Sequence, residues 1–591
     1  EFYEQKKNLY DLSLLTHNQF TDECRPIING CNRLMVRMSK MKFFDPACGS
    51  GNFLIITYKQ LRLLEMDILH LRKKCTQEQM LDFIDGSCIR LEQFFGIELL
   101  DFPHEVAMLS LWLAEHQMNN KFHADFGVNV AALPLHNIDQ IKCGNACRMD
   151  WEVVCPHAKD EEVFVFGNPP YLGSRNQEEE HKADMDIVFG NQKEFKGYRK
   201  LDYISCWFFK GAEYVANSDA SYAFVSTNSI TLGEQVSILW NNMLNKYSEN
   251  IFFAYSVFKW NNNAKNVAGV SVVIIGVRKR DNSMKKLYNE VECKQLSHIP
   301  PTLSDSVDNM VKKATKSISK LPYMRRGNMP NDKEFLRLSP LEKKDILEHY
   351  PNAVKFIRLQ IGADELINQV ERYCYWISDE DLEEAEKIMP IKNAIDKCRE
   401  YRINSKDKTL HVQAEKAHQM REFFECNEMS LVIPIVSSES REYIPMSFVP
   451  DKTIVPNSAQ VIYDANLFVF GILTSKMHIL WTKHNAGRLD NRIRYSIFLC
   501  YNTFPFPSIS DTKKSEIEEA ATNVLLAREN YPEKTLADLY DPEKMPEDLR
   551  AAHEKLDAIV ESCYPGAPFP NDEARLECLF KLYEKMTADK K

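Results

Sequence analysis

Residues 41–54 read MKFFDPACGSGNFL: a short apolar run closed by an acid, a turn with two glycines, and the start of a long amphipathic stretch. This is the pattern of a strand whose carboxyl end feeds a glycine loop and then a helix, with Asp45 ending the strand and Gly49 and Gly51 in the turn. Glycines there let a ligand approach the backbone closely, at the sheet edge where doubly wound α/β folds bind nucleotides. The loop lacks the third glycine of a dinucleotide fingerprint and the Gly-Lys-Ser/Thr of a phosphate loop. A ligand without a pyrophosphate is therefore favoured.

Outward from this loop, the chain from Met41 to Val277 alternates short apolar runs with longer amphipathic ones, which predicts a parallel sheet covered by helices on both faces. Strands are expected at 41–45, 92–98, 163–167, 222–228, 251–258 and 271–277, and helices at 53–74, 103–117 and 201–215. Near 331 the pattern changes to short mixed elements rich in Arg, Tyr, Asn and Pro, and beyond about 510 it becomes helical with acidic first turns. The expected division is an N-terminal helical remnant or spacer (1–40), a doubly wound Rossmann-like α/β domain (41–325), an α+β domain (326–510) and a helical C-terminal region (511–591).

Composition narrows the class. A chain of 591 residues has room for two or three domains with full cores. Its 44% apolar and 27% charged residues are ordinary for a soluble protein, and no apolar run approaches the roughly eighteen residues of a membrane span. Sixteen cysteines without a CxxC pair fit a reducing cytoplasm. The spacing of Cys143, Cys147 and Cys155 matches no common zinc site, so no metal is expected. The chain opens on Glu1 rather than Met, as a piece of a longer polypeptide would. Net charge is -10, but it is unevenly spread. Residues 311–338 hold eight Lys/Arg against two acids and 481–494 hold four against one, whereas 511–591 hold nineteen acids and twelve bases. The middle is basic, as a polyanion-binding surface requires.

Three further features join the glycine loop. The second expected strand ends in GIELL, with Glu98 where a carboxylate would accept hydrogen bonds from ribose hydroxyls. Asn145 stands in the loop IKCGNACRMDW, where its amide could read an adenine edge. The stretch VFVFGNPPYLGS, 163–174, runs a strand straight into Asn168, Pro169, Pro170 and Tyr171. The prolines fix φ and remove amide donors, making a stiff turn. Taken singly, Glu98 reads equally well as a surface acid, and Asn145 as a turn residue.

Together, DPACGSGNF, GIE and GNPPY resemble the motif set of S-adenosylmethionine-dependent amino-methyltransferases that act on adenine in DNA. Further stretches extend the resemblance to the MmeI-like family over nearly the whole chain: 228–240, 258–276, 436–448, 471–481, 501–507 and 536–557. The resemblance implies that 41–325 is a methyltransferase domain and 326–510 a DNA target-recognition domain. It further implies S-adenosylmethionine as cofactor, held by Asp45, Pro46, Ala47, Cys48, Gly49, Gly51, Asn52, Phe53, Glu98 and Asn145.

The stiff turn suits that chemistry. Adenine's exocyclic nitrogen is a poor nucleophile, and two rigid acceptors for its protons would aim its lone pair at a methyl donor. The Asn168 side-chain oxygen and the Pro169 carbonyl can serve. Tyr171 would floor a base flipped out of the duplex. A second aromatic after the 251–258 strand would close the other face, with Phe258 the first choice and Trp260 the alternate. Both also read as core aromatics. No general base is called for. Asn at 168, where cytosine enzymes more often place Ser, favours adenine.

Double-stranded DNA is the expected partner, with no membrane, a cytoplasmic location, and an oligomeric state left open that a monomer would satisfy. Candidate DNA contacts are Arg325, Arg326, Lys483, Arg488, Arg492 and Arg494, and 437–442 (SSESRE) reads as a base-reading loop through Ser438, Glu439 and Arg441. A solvated charged face competes for each. The chain departs from the family in having only about forty residues before the glycine loop, with no recognisable nuclease. Two forms stay open: a modification enzyme of a restriction-modification system, or the methyltransferase portion of a bifunctional restriction endonuclease. An RNA adenine methyltransferase and a protein glutamine methyltransferase share the turn, though the latter are small and lack a counterpart to 331–510.

Overall fold

A computed structural model of the chain describes residue 7 and residues 17–76, 87–127, 139–260, 270–303, 311–426, 429–489 and 492–588. It divides into two compact units, Glu1–Asp308 and Asn309–Lys591.

The first unit is built on a nine-stranded sheet of order β3-β2-β1-β4-β5-β7-β6-β8-β9. The strands are β1 (Lys42–Asp45), β2 (Phe94–Glu98), β3 (Ile141–Cys143), β4 (Val163–Gly167), β5 (Ser221–Thr227), β6 (Glu249–Trp260), β7 (Val270–Lys279), β8 (Lys285–Tyr288) and β9 (Cys293–Leu296). The five from β3 to β5 run parallel. Their order reverses at β1: the chain builds outward through β2 and β3 on one side, then β4 and β5 on the other. In such sheets the crevice at the reversal, beyond the strands' carboxyl ends, is where ligands bind. The loops leaving β1 and β4 flank it, and they carry the glycines and the Asn-Pro-Pro turn.

Alternation along β1 holds the layers together. Phe43 faces one way, stacking on Phe94 and Phe164 at 5.0 and 5.8 Å, in a core shared with α2 (Asn52–Thr76) and α3 (Asp101–Phe126). Phe44 faces the other way, against Trp151 and Tyr214; Tyr214 lies on α5 (Ser205–Val215). A preceding helix, α1 (His17–Met38), leads into β1. The Gln93 amide ties down that approach by donating to the Met38 and Met41 carbonyls, both at 2.8 Å.

Two features differ from the sequence reading. The sheet is not parallel throughout: β7 runs antiparallel to both β5 and β6. Only residues 261–269 separate β6 from β7, too few for the dozen or more that a parallel crossover needs, so the two pair as neighbours in opposite directions. The strands β3, β8 and β9 were not anticipated, because they are three or four residues long and rich in lysine. Among the described residues no helix is long and apolar enough to cross a membrane.

The second unit contains three small sheets. Strands β10 (Met324–Arg326), β14 (Ser430–Pro434), β16 (Ser447–Val449) and β17 (Ala459–Ile462) form an antiparallel sheet ordered β10-β17-β14-β16. Strands β11 (Arg337–Leu338), β12 (Ile357–Leu359) and β13 (Tyr373–Tyr375) form a second, ordered β11-β13-β12. Strands β15 (Val436–Ser437), β18 (Gly487–Leu489) and β19 (Arg492–Arg494) form a third, ordered β15-β19-β18. Of its helices, α6 (Lys476–Asn485), α7 (Asp511–Glu529), α8 (Glu547–Glu561) and α9 (Asp572–Ala588) share one hydrophobic core with the four-stranded sheet. In the first unit, α4 (Glu179–Phe189) precedes α5 in the chain.

Candidate active site

Asp45 ends β1 almost wholly enclosed, 1% exposed. Its Oδ1 accepts the Ala47 N–H at 3.0 Å, and its Oδ2 is buried with no hydrogen-bond partner among the described residues. Burial pushes this carboxyl up to about 7, against the pull of the Ala47 N–H and helped by the nearby Glu98 carboxylate. A Cβ placed on Gly167 would lie 2.5 Å from Asp45 Oδ1. The carboxyl group therefore rests against the backbone of the residue that precedes Asn168, where the ends of the paired strands β1 and β4 lie side by side at the crevice.

The glycine loop turns tightly around the end of β2. Gly49 has φ +56° and Gly51 φ +82°, conformations that side-chain-bearing residues resist. The Gly49 N–H donates to Glu98 Oε2 at 2.9 Å, and the Leu100 N–H to Oε1 at 3.1 Å. Each oxygen keeps a lone pair for a further donor. The Cys48 N–H bonds the Ile97 carbonyl, and the Pro46 carbonyl accepts the Trp207 indole N–H, both at 3.0 Å. Burial raises the Cys48 thiol, so it stays protonated and inert. In the first turn of α2, Leu54 enters the core while Asn52 and Phe53 stay exposed. The Phe53 ring is 6.4 Å from that of Phe166.

At the end of β4, Asn168 is half-buried, Pro169 buried, Pro170 exposed and Tyr171 half-buried. The Asn168 side-chain oxygen is shielded from solvent and has no hydrogen-bond partner among the described residues. An unpaired buried carbonyl is costly unless a ligand's donor completes it. The chain just beyond Tyr171 is held firmly. The Leu172 N–H donates to Asp202 Oδ1 at 2.8 Å, and the Leu172 carbonyl accepts from the Tyr203 N–H and the Gln177 amide, each at 3.0 Å.

Asn145 has a structural engagement. Its oxygen accepts the Cys147 N–H at 2.9 Å, and its amide donates to Asp184 Oδ2 at 2.9 Å. Asp184, on α4, also takes the Tyr203 hydroxyl at 2.7 Å and Arg148 Nε at 2.6 Å. Burial acts to raise this carboxyl, and the three donors outweigh it, holding it below the ordinary range. Phe258 sits half-buried in β6 beside a register shift between Tyr255 and Phe258. Trp260 ends that strand, and its side chain lies outside the described residues.

In the second unit the basic candidates fall in two places. Arg325 and Arg326 lie on the edge strand β10. The Arg325 guanidinium sits 3.4 Å from the Phe424 ring centre, and Arg326 Nε donates to the Asn457 carbonyl at 3.0 Å. Arg492 and Arg494 flank buried Ile493 on β19, which pairs with β18 and with β15. Arg488 is registered opposite Ile493, and its side chain lies outside the described residues. The 437–442 loop leaves β15 at the same sheet, with the Ser438 and Ser440 hydroxyls bonded at 2.8 Å, Glu439 exposed and Arg441 half-buried. Lys483 is half-buried in the last turn of α6.

Sequence reasoning passed over Gly167, Asp184, Asp202 and Tyr203. Gly167 was visible as the first residue of GNPPY, but its contact is with Asp45, 122 residues earlier. Nothing local marks the other three, whose partners at the site, Asn145 for Asp184 and Leu172 for Asp202 and Tyr203, are likewise distant in the chain.

Comparison with known proteins covers nearly all of the chain. Residues 21–289 match the MmeI DNA-methyltransferase domain, 305–508 the MmeI target recognition domain and 509–590 the MmeI C-terminal domain. The chain is 48% identical over 556 residues to DNA methyltransferase A of Bacillus subtilis (strain 168), which spans 94% of this chain but only 62% of that protein. The solved structure of the Type IIL restriction-modification enzyme MmeI in complex with DNA is similar at a TM-score of 0.88 and 38% identity, over 98% of this chain and 78% of that one.

Proposed function

From the premise that this chain belongs to the MmeI family, we propose that it is a site-specific DNA methyltransferase that modifies the exocyclic N6 amine of adenine. Its methyl donor would be S-adenosylmethionine, its partner double-stranded DNA, and its setting a restriction-modification system in the cytoplasm. The observation that carries this reading is the buried, unpaired oxygen of Asn168 beside the glycine loop at the point where the strand order reverses.

The residues fit such a donor. Two buried oxygens, Asp45 Oδ2 and Asn168 Oδ1, have no partner among the described residues and would be free to accept from a ligand. S-adenosylmethionine, when bound, supplies an electrophilic methyl group. Glu98 would hold the ribose hydroxyls with the lone pairs left after its two backbone bonds. Asp45 would neutralise positive charge at the methionine end, losing its proton as it does so. Gly49, whose Cβ position faces open space, would keep the loop free of a side chain where the ligand passes, and Gly51, packed against Ala107, would line the path through its backbone, with Pro46, Ala47, Cys48, Asn52 and Phe53 completing the wall.

Target chemistry follows from the turn. Asn168 Oδ1 and the Pro169 carbonyl would accept hydrogen bonds from the two N6–H groups, drawing the nitrogen toward tetrahedral geometry and freeing its lone pair, and one of those protons would leave to water once the methyl group is on the nitrogen. Rigidity matters because these acceptors act only if they stay where the charge develops. The prolines and the Asp202 and Tyr203 bonds to Leu172 provide it. Tyr171 would stack on the flipped base, with Phe258 or Trp260 on its other face. The adenine of the cofactor would lie toward Asn145, whose amide donates to Asp184 and so would act chiefly by holding that loop in place.

A second unit matching a target recognition domain favours DNA over the RNA and protein-glutamine alternatives. The deciding experiment incubates the chain with methyl-labelled S-adenosylmethionine and, separately, duplex DNA, structured RNA and protein, then maps modified bases by sequencing. Label in N6-methyladenine at one DNA sequence is expected. Label confined to RNA or protein would overturn the proposal.

A further inference from the structure

The stretches 436–448 and 536–557 both belong to the family resemblance, yet only the first has a proposed role. The fold brings them together. Glu442, at the end of the 437–442 loop, receives Arg550 Nη1 on both carboxylate oxygens at 2.6 and 2.5 Å. The next residue, Tyr443, donates its hydroxyl to Asp557 Oδ2 at 2.7 Å, and its ring stacks on His553 with centroids 4.0 Å apart. Arg550, His553 and Asp557 stand at i, i+3 and i+7, one face of α8.

The grip reaches deeper on both sides. Asp557 Oδ1 accepts the Lys476 N–H at 2.6 Å, joining the clamp to the start of α6. His553 shares a 2.8 Å hydrogen bond with the Tyr540 hydroxyl, which takes Arg528 Nε at 2.8 Å and Nη2 at 2.5 Å. Arg528 in turn donates from Nη1 to the Met446 carbonyl at 2.9 Å. The segment after the loop is thus fastened at 442, 443 and 446. The segment before it is fastened by β15, with Val436 opposite Arg494 and Ser437 opposite Ile493. Residues 438–441 project between two anchors.

We propose that the C-terminal helices are part of the sequence-reading apparatus: Arg550, His553 and Asp557 of α8 are positioning residues that hold the 437–442 loop in its reading geometry. They set which base pair the loop prefers without touching DNA. This rests on the reading of that loop as a base reader. Discrimination between bases depends on donor and acceptor placement at the groove edge, so a loop free to shift loses preference before it loses affinity. The Glu442–Arg550 pair is partly exposed, 47% and 31%, and such pairs add little to folding stability. Its geometry is better explained by placement of the loop.

The test selects bound duplexes from a randomised pool using the full chain, so that no methyl transfer is required. Arg550→Gln, Tyr443→Phe, Asp557→Asn and the Tyr443→Phe/Asp557→Asn double variant are compared with loop variants Ser438→Ala and Arg441→Ala. The clamp variants should lower the enrichment of the preferred site over a one-base mismatch by about tenfold, the scale of a single mismatch. The double variant should be no worse than the worse single one, and the melting temperature of Arg550→Gln should not move. If the loop variants shift the preference and the clamp variants do not, the clamp is overturned while the base-reading loop stands. If neither set shifts it, the loop reading fails and takes the clamp with it. A clamp effect with silent loop variants would also overturn the proposal as stated. Should the buried Tyr443 and Asp557 variants unfold, Arg550→Gln decides.

Discussion

Asn168 has a side-chain oxygen that the protein buries and leaves unpaired, and its proposed role yields a sharp expectation. Asn168→Ala should slow methyl transfer by about 100-fold or more, the usual effect of removing one preorganised polar group at a reacting centre. Binding of S-adenosylmethionine, followed by calorimetry, should be nearly unchanged; transfer at the normal rate would exclude the role. Asp45 supplies a pH dependence. Its pKa is raised to about 7 by burial, so the fold favours the protonated form. Its stabilising contribution is complete below the ordinary carboxylate range and is lost as pH rises through about 7. Asp45→Asn, which mimics the protonated group, should therefore gain in melting temperature relative to the parent between pH 4 and pH 7. A cationic ligand reverses the preference, so S-adenosylmethionine should bind the parent more tightly as pH rises toward 7. A pH-independent affinity would exclude Asp45 from contact with the ligand's charge.

At the scale of elements, the two loops depend on each other through Gly167. A methyl group there would meet Asp45 Oδ1 at 2.5 Å. Gly167→Ala should displace the buried carboxyl, costing about 1–3 kcal/mol as overpacking does, and should weaken cofactor binding although Gly167 ends the strand that carries the loop assigned to the target base. Undiminished affinity in the folded variant would show that the loops act separately. The strand-loop-helix at 41–76 and the strand ending at Asn168 were legible because apolar runs, paired glycines and paired prolines are local signals. The direction of β7 was not: alternation along a strand says which face is buried but not which way its neighbour runs. Likewise the 201–215 helix reading was right from Ser205 onward. Residues before it are held instead by Asp202, which bonds Leu172 thirty positions earlier.

For the whole molecule, the two units offer separable measurements. If Arg492 and Arg494 meet phosphates, alanine at either should lower the slope of log binding constant against log salt by about one, with the preferred sequence unchanged. A changed preference with an unchanged slope would instead mark base contacts. The basic middle and acidic tail were visible in the chain, and so were a Rossmann-like domain, its glycine loop and its Asn-Pro-Pro-Tyr turn. All of these rest on periodicity, composition and stiff or permissive residues at neighbouring positions. Only the folded chain decides that Asp45 touches Gly167, that Asn145 is braced by Asp184, and that α8 grips the loop at 437–442. Those contacts join residues some forty to 120 positions apart. Their cause is the packing of whole strands and helices against one another, which no local pattern encodes.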